Sequence, residues 1–139
     1  MGHVFELERF VKAQDPVLEE ALLELRRGRK QGHWMWFIFP QMKGLGSSAM
    51  AQQYAISSRA EAEAYLAHAI LGPRLIECTQ AVNAVEGRSA EEIFGHVDAM
   101  KFRSSMTLFR ETAVGGPFAH PLKKYFAGEP DARTLQLLG

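Results

Sequence analysis

The sequence predicts a mostly α-helical fold, a compact bundle-like array of six or seven short helices, with a small two-stranded β element as its one candidate exception. Three observations point there. Ser58-Arg59-Ala60-Glu61 and Ser89-Ala90-Glu91-Glu92 both read as capping boxes, in which a serine hydroxyl and a glutamate three residues on satisfy each other's orphan N–H groups. Apolar residues recur at three- and four-residue intervals in most segments between glycines and prolines. The connections are only a few residues long, without a repeat or a composition shift, so one domain is expected over residues 1–139.

Taken in order, Phe5, Leu7, Phe10 and Val11 suggest a first amphipathic helix. Asp15-Pro16 then reads as a cap followed by a first-turn proline. Val17, Leu18, Ala21, Leu22 and Leu25 form the apolar face of the second helix, and Arg26, Arg27 and Gly28 suit its C-terminal end. The six apolar residues Trp34 to Phe39 have the length and aromatic content of a buried strand, with Tyr54-Ala55-Ile56 as its partner; periodicity equally allows a buried helical turn. Helices follow from Ser58 and, after Gly72-Pro73, through Leu75 to Val85. A short one runs from Ser89 to Gly95. Asp98 reads as the cap of the next, which Gly115-Gly116-Pro117 ends. A helix around Leu122 to Phe126 stops at Gly128, and Asp131 caps a last turn.

Composition narrows the function classes. Sixteen basic and sixteen acidic residues cancel, which removes a global field for nucleic acid or an anionic membrane. No apolar run reaches the length of a membrane span. Cys78 alone cannot form an internal disulfide or a cysteine metal cluster, and a reducing, cytoplasmic setting is expected. Met1 to Val4 carry no basic-then-apolar secretory pattern.

Two constellations could carry function. The first is His33, the aromatic run, Pro40-Gln41 and Gly44-Leu45-Gly46-Ser47-Ser48. Trp34 or Trp36 could stack on a ring, Gln41 could read its edge, and the glycines admit close approach of a phosphate. The competing reading makes the aromatics core and the glycines a turn. The loop lacks the Gly-Lys-Ser/Thr ending of a nucleotide P-loop. The second is Asp98 to Thr107, where Lys101, Arg103, Ser104 and Ser105 in the early turns of a helix suit an anion. The competing reading sends the lysine to solvent and the hydroxyls back to the preceding turn. His33, His68, His96 and His120 show no ligand spacing, so neither metal nor cofactor is expected. Arg26-Arg27-Gly28-Arg29-Lys30 could grip a nucleic-acid backbone with Trp34 stacking, or be a solvated helix end.

The chain resembles, from Leu7 to Leu138, an uncharacterised bacterial family, the "domain of unknown function" family numbered 1810, sometimes mislabelled calpastatin. The carriers are Leu7 to Val11, His33-Trp34-Met35-Trp36-Phe37-Ile38-Phe39-Pro40-Gln41 with Gly44-Leu45-Gly46, Tyr54-Ala55-Ile56, Ala62 to Leu66, Leu71 to Leu75, Ile93-Phe94-Gly95, Asp98 with Lys101 to Phe109, and Thr134-Leu135. Ala69 departs from the family's usual proline. The resemblance implies a compact helical domain with no agreed activity. The order helix, Leu71-Gly72, helix, Met100-Lys101-Phe102 is also distantly similar to a family associated with NAD and ADP-ribose, some members of which cleave N-glycosidic bonds. That family's acidic and aromatic motifs are not evident here.

The expectation is a small-molecule or nucleotide-binding domain with a phosphate-bearing partner, N-riboside hydrolysis being its candidate reaction. Trp34, Trp36, Gln41, Lys101, Arg103, Ser104 and Ser105 would bind the ligand in one pocket, and His33 or Asp98 would be the acid or base if chemistry occurs. The alternative is a non-enzymatic protein-interaction module using an aromatic patch. A third reading is weak RNA or single-strand binding.

Overall fold

A computed structural model describes residues 5–139. Met1 to Val4, and with them the secretory-pattern reading, lie outside the described residues. Ten α-helices form among the described residues, joined by short connections: α1 Glu8–Gln14, α2 Leu18–Arg27, α3 Met35–Ile38, α4 Ala49–Gln53, α5 Arg59–Ala67, α6 Leu71–Asn83, α7 Ala90–Phe94, α8 His96–Thr112, α9 Ala119–Phe126 and α10 Ala132–Leu138. The fold is therefore mostly helical, with more helices than expected. The excess comes from the single turns α3 and α4, whose apolar periodicity is too short to register, and from α10, expected only as a last turn.

Helix α8 is the central element. Five consecutive residues, Ser105 to Phe109, have no exposed surface, so this stretch is enclosed on all sides. Helices α5, α7, α9 and α10 pack against α8, while α6 packs on α2, α5 and α9. At Gly72 the start of α6 meets the end of α5, and a Cβ there would lie 2.2 Å from the Leu66 carbonyl oxygen. Glycine permits the approach. Pro73 costs nothing in the first turn, where its missing N–H has no helical partner, so Gly72-Pro73 lies inside α6 instead of separating two helices.

Local signals hold at several ends. Ser89 and Glu92 close a reciprocal capping box. Gly28 ends α2 in the left-handed conformation at φ 71°. Asp131 Oδ2 accepts from the Thr134 N–H at 2.9 Å and from its hydroxyl at 2.6 Å. Three boundary expectations need correction. Asp15 caps the C-terminus of α1 and pairs with Arg74 at 2.8 Å, and α2 begins after Val17. Asp98 is the third residue of α8, not its cap, because the helix starts at Gly95-His96. Ser58 caps α5, but Glu61 does not return the bond. Its carboxylate turns inward to the Ser57 N–H at 2.7 Å and to Arg9 at 3.1 Å.

The aromatic run forms no strand. Trp34 to Phe39 makes one helical turn, with the Ile38 and Phe39 N–H groups donating to the Trp34 and Met35 carbonyls at 3.1 Å each. A turn satisfies its own backbone polar groups in the core, whereas a lone strand would leave a ladder unpaired. The expected β pair reduces to a single parallel bridge between Met42 and Ile56. Phe39, Phe94 and Phe102 pack mutually, with ring centroids 4.7–6.1 Å apart, and fix the end of the turn against α8.

Candidate functional site

Glu24 on α2 organises the chain entering the aromatic turn. One carboxylate oxygen accepts from the Gln31 N–H at 2.8 Å, the Gly32 N–H at 2.9 Å and the Trp34 indole N–H at 2.9 Å. Burial pushes the Glu24 carboxyl up, but these donors and nearby Lys30 together hold it below the usual carboxylate range. Trp34 is thereby fixed in the core, 2% exposed. Trp36 lies on another side of the turn and is half-buried. The turn ends at buried Pro40, and the Ile56 N–H donates to the Gln41 carbonyl at 2.8 Å. That bond anchors the backbone of Gln41, whose side-chain amide has no protein partner among the described residues.

Opposite this turn, α8 presents Val97, Met100, Lys101 and Ser104 at the i, i+3, i+4, i+7 spacing of one helix face. The Lys101 ammonium sits 4.9 Å from the centroid of the Trp36 ring and 3.5 Å from Asp98 Oδ1. Asp98 Oδ2 pairs with Lys30 at 2.8 Å, and Lys30 in turn donates to the Gly32 carbonyl and lies 5.0 Å over the Trp34 ring. A row of lysine, aspartate and lysine thus runs along the seam between the aromatic turn and α8.

Between these elements lies an open cleft of about 390 Å³, lined by Trp36, Gln41, Lys101 and Ser104, the Leu45–Ser48 loop with Ala51, and the apolar Val97 and Met100. A recess of about 10 Å³, one water's worth, continues behind it toward Met35, Phe39, Met42 and Tyr54. The loop wall is pinned where the Ser48 hydroxyl caps α4 and where Gln52 donates to the Ser47 carbonyl at 2.8 Å. The N–H groups of Gly46 and Ser47 have no hydrogen-bond partner among the described residues.

Of the seven ligand-binding residues read from the sequence, the cleft brings together Trp36, Gln41, Lys101 and Ser104. Ser104 also bonds back to the Met100 carbonyl at 3.1 Å. Trp34 is withheld by its bond to Glu24. Arg103 points elsewhere, donating to the Glu129 and Pro130 carbonyls at 2.9 and 3.3 Å and packing over Phe126. Ser105 is fully buried, and its hydroxyl has no hydrogen-bond partner among the described residues. His33 is exposed and Asp98 is held by two lysines; neither lines the cleft. Met100, whose apolar side chain predicts a place in the core with Phe102 and Met106, is instead exposed at the cleft, where Val97 joins it on the face of α8 that carries Lys101 and Ser104. Lys30, in the sequence only one cation of a basic run, pairs here with Asp98 at 2.8 Å.

Other features bear on the alternatives. Apart from half-buried Trp36 the aromatic run is interior, so it offers no flat exposed aromatic patch. Within the basic run, Arg26 pairs with Glu77 and Lys30 with Asp98, and the Trp34 ring that would stack a base is buried. Cys78 is buried, and burial and the neighbouring Glu77 charge push its thiol up to about 12. Among the described residues no group of three metal-ligating side chains is assembled, and no helix is long and apolar enough to cross a membrane.

The family described as "Protein of unknown function (DUF1810)" matches residues 4–138, and the chain belongs to it. Its fold is similar to the conserved hypothetical protein Rv1873 from Mycobacterium tuberculosis, whose crystal structure extends to 1.38 Å. The two chains are 57% identical, with a TM-score of 0.95 and 96% of each chain covered. No curated protein matches the chain.

Proposed function

Starting from a family with no assigned activity, we propose that the cleft between the aromatic turn and α8 binds a small molecule combining a planar ring with an anionic group, a nucleotide or phosphorylated metabolite being the nearest chemistry. The observation that carries this is the Lys101 ammonium 4.9 Å over the Trp36 ring inside a cleft of about 390 Å³. That volume falls within the range of small-ligand pockets. A ring against Trp36 would place an attached anion beside Lys101. The Gln41 amide and the Gly46 and Ser47 N–H groups, without partners among the described residues, would supply hydrogen bonds.

Binding is favoured over N-riboside hydrolysis because neither His33 nor Asp98 lines the cleft. It is favoured over an aromatic docking patch because the aromatic residues are mostly interior. The test is a thermal-shift screen with nucleotides and phosphorylated metabolites. A ligand at a hundred times its dissociation constant adds about 2.7 kcal/mol of stability, an upward shift that is easily read. Lys101→Ala is expected to abolish that shift while keeping the unliganded melting temperature, and Trp36→Leu to weaken it. A ligand-induced shift that survives Lys101→Ala refutes the reading, as does a panel in which nothing shifts.

A further inference from the structure

We infer that Lys30 and Asp98, neither of which lines the cleft, set its affinity for anions by fixing the net charge around Lys101. The inference rests on the binding reading above. Asp98 is shared, with one carboxylate oxygen 3.5 Å from Lys101 and the other 2.8 Å from Lys30. The exposures grade inward, from 26% for the Lys101 side chain to 21% for Asp98 and 8% for Lys30. Taken alone, the Asp98–Lys101 pair sums to zero and offers an anion little. Lys30 restores the balance to one net positive charge while staying out of the ligand's reach. It is held there by the Gly32 carbonyl and the Trp34 face.

Among the described residues no acidic side chain lines the cleft, so this row supplies its charge. Asp98 and Lys30 are positioning residues, acting on the ligand through Lys101. A purely structural role for the row predicts that every lesion in it weakens binding. Charge control predicts instead that removing the aspartate strengthens it. The two accounts therefore differ in sign.

The experiment titrates phenyl phosphate into the full chain at low, constant ionic strength, following the Trp36 indole and Lys101 amide signals by NMR. One unit charge added or removed a few ångströms from an anion in a partly wet cleft changes affinity by about three- to tenfold. Asp98→Asn is expected to tighten binding by that factor, Lys30→Met to weaken it similarly, Lys30→Arg to restore it, and Lys101→Met to abolish it. If Lys30→Met fails to fold, the sign of Asp98→Asn decides. Phenyl phosphate binding that depends on Lys101 but is unchanged or weakened in Asp98→Asn overturns the charge inference and leaves the binding reading standing. No saturable shift in either the natural chain or Asp98→Asn overturns both.

Discussion

Replacing Glu24 tests the element that carries the site, because this carboxylate fixes Trp34 and hence the turn presenting Trp36 and Gln41. In Glu24→Ala three donors lose one shared oxygen, at 2.8, 2.9 and 2.9 Å. The Gln31 N–H is exposed and recovers water, at a cost of about 0.5 kcal/mol, while the part-buried Gly32 and Trp34 donors cost about 1–1.5 kcal/mol each. The total is about 3 kcal/mol, or a melting temperature lower by about 10 °C in a chain of this size. Glu24→Gln keeps an acceptor and loses only the charge assistance, for about 1 kcal/mol. The pH dependence has a definite sign. The folded carboxyl titrates below its usual 4.5, so its stabilisation is complete above that value and is lost as pH falls through the lowered folded value. The stability gap between the natural chain and Glu24→Gln should therefore close in acid. Urea unfolding at pH 7 and at steps below 4.5 measures it. Equal stabilities for the two chains at pH 7, or a gap that widens in acid, would refute the account of Glu24 as a charged anchor.

Other outcomes follow from the packing. Gly72→Ala puts a Cβ against the Leu66 carbonyl oxygen, and even after its gain in helix propensity it should cost about 2 kcal/mol by chemical denaturation. Ser105→Ala removes a buried hydroxyl that has no partner among the described residues and should raise stability by about 1 kcal/mol, seen as a higher melting temperature. A loss instead would mean that the hydroxyl has a partner, such as an ordered water. Cys78, buried and with its thiol held up to about 12, should resist iodoacetamide at pH 8 in the folded protein and react only as denaturant unfolds it. Stoichiometric labelling under native conditions would contradict that burial.

What was legible in the sequence is what nearby residues decide. The Ser89–Glu92 box, the glycine stop at Gly28 and the Asp131 cap act within three or four residues, so their chemistry can be read without the fold. The mostly helical class followed from the same signals. Tertiary packing decided which side chains reach the cleft. A strand over Trp34 to Phe39 would place Trp34 and Trp36 on one face, because side chains alternate with a period of two. In the observed helical turn, residues two apart lie roughly 200° apart, so Trp34 faces Glu24 and the core while Trp36 faces Lys101. The same rotation along α8 sends Lys101 to the cleft and Arg103 toward Glu129 and Pro130. One step of about 100° separates the cleft-lining Ser104 from the buried Ser105. Composition identified the residues able to bind a ring and an anion; the helical rotation at each position, set by what the rest of the chain buries, selected among them.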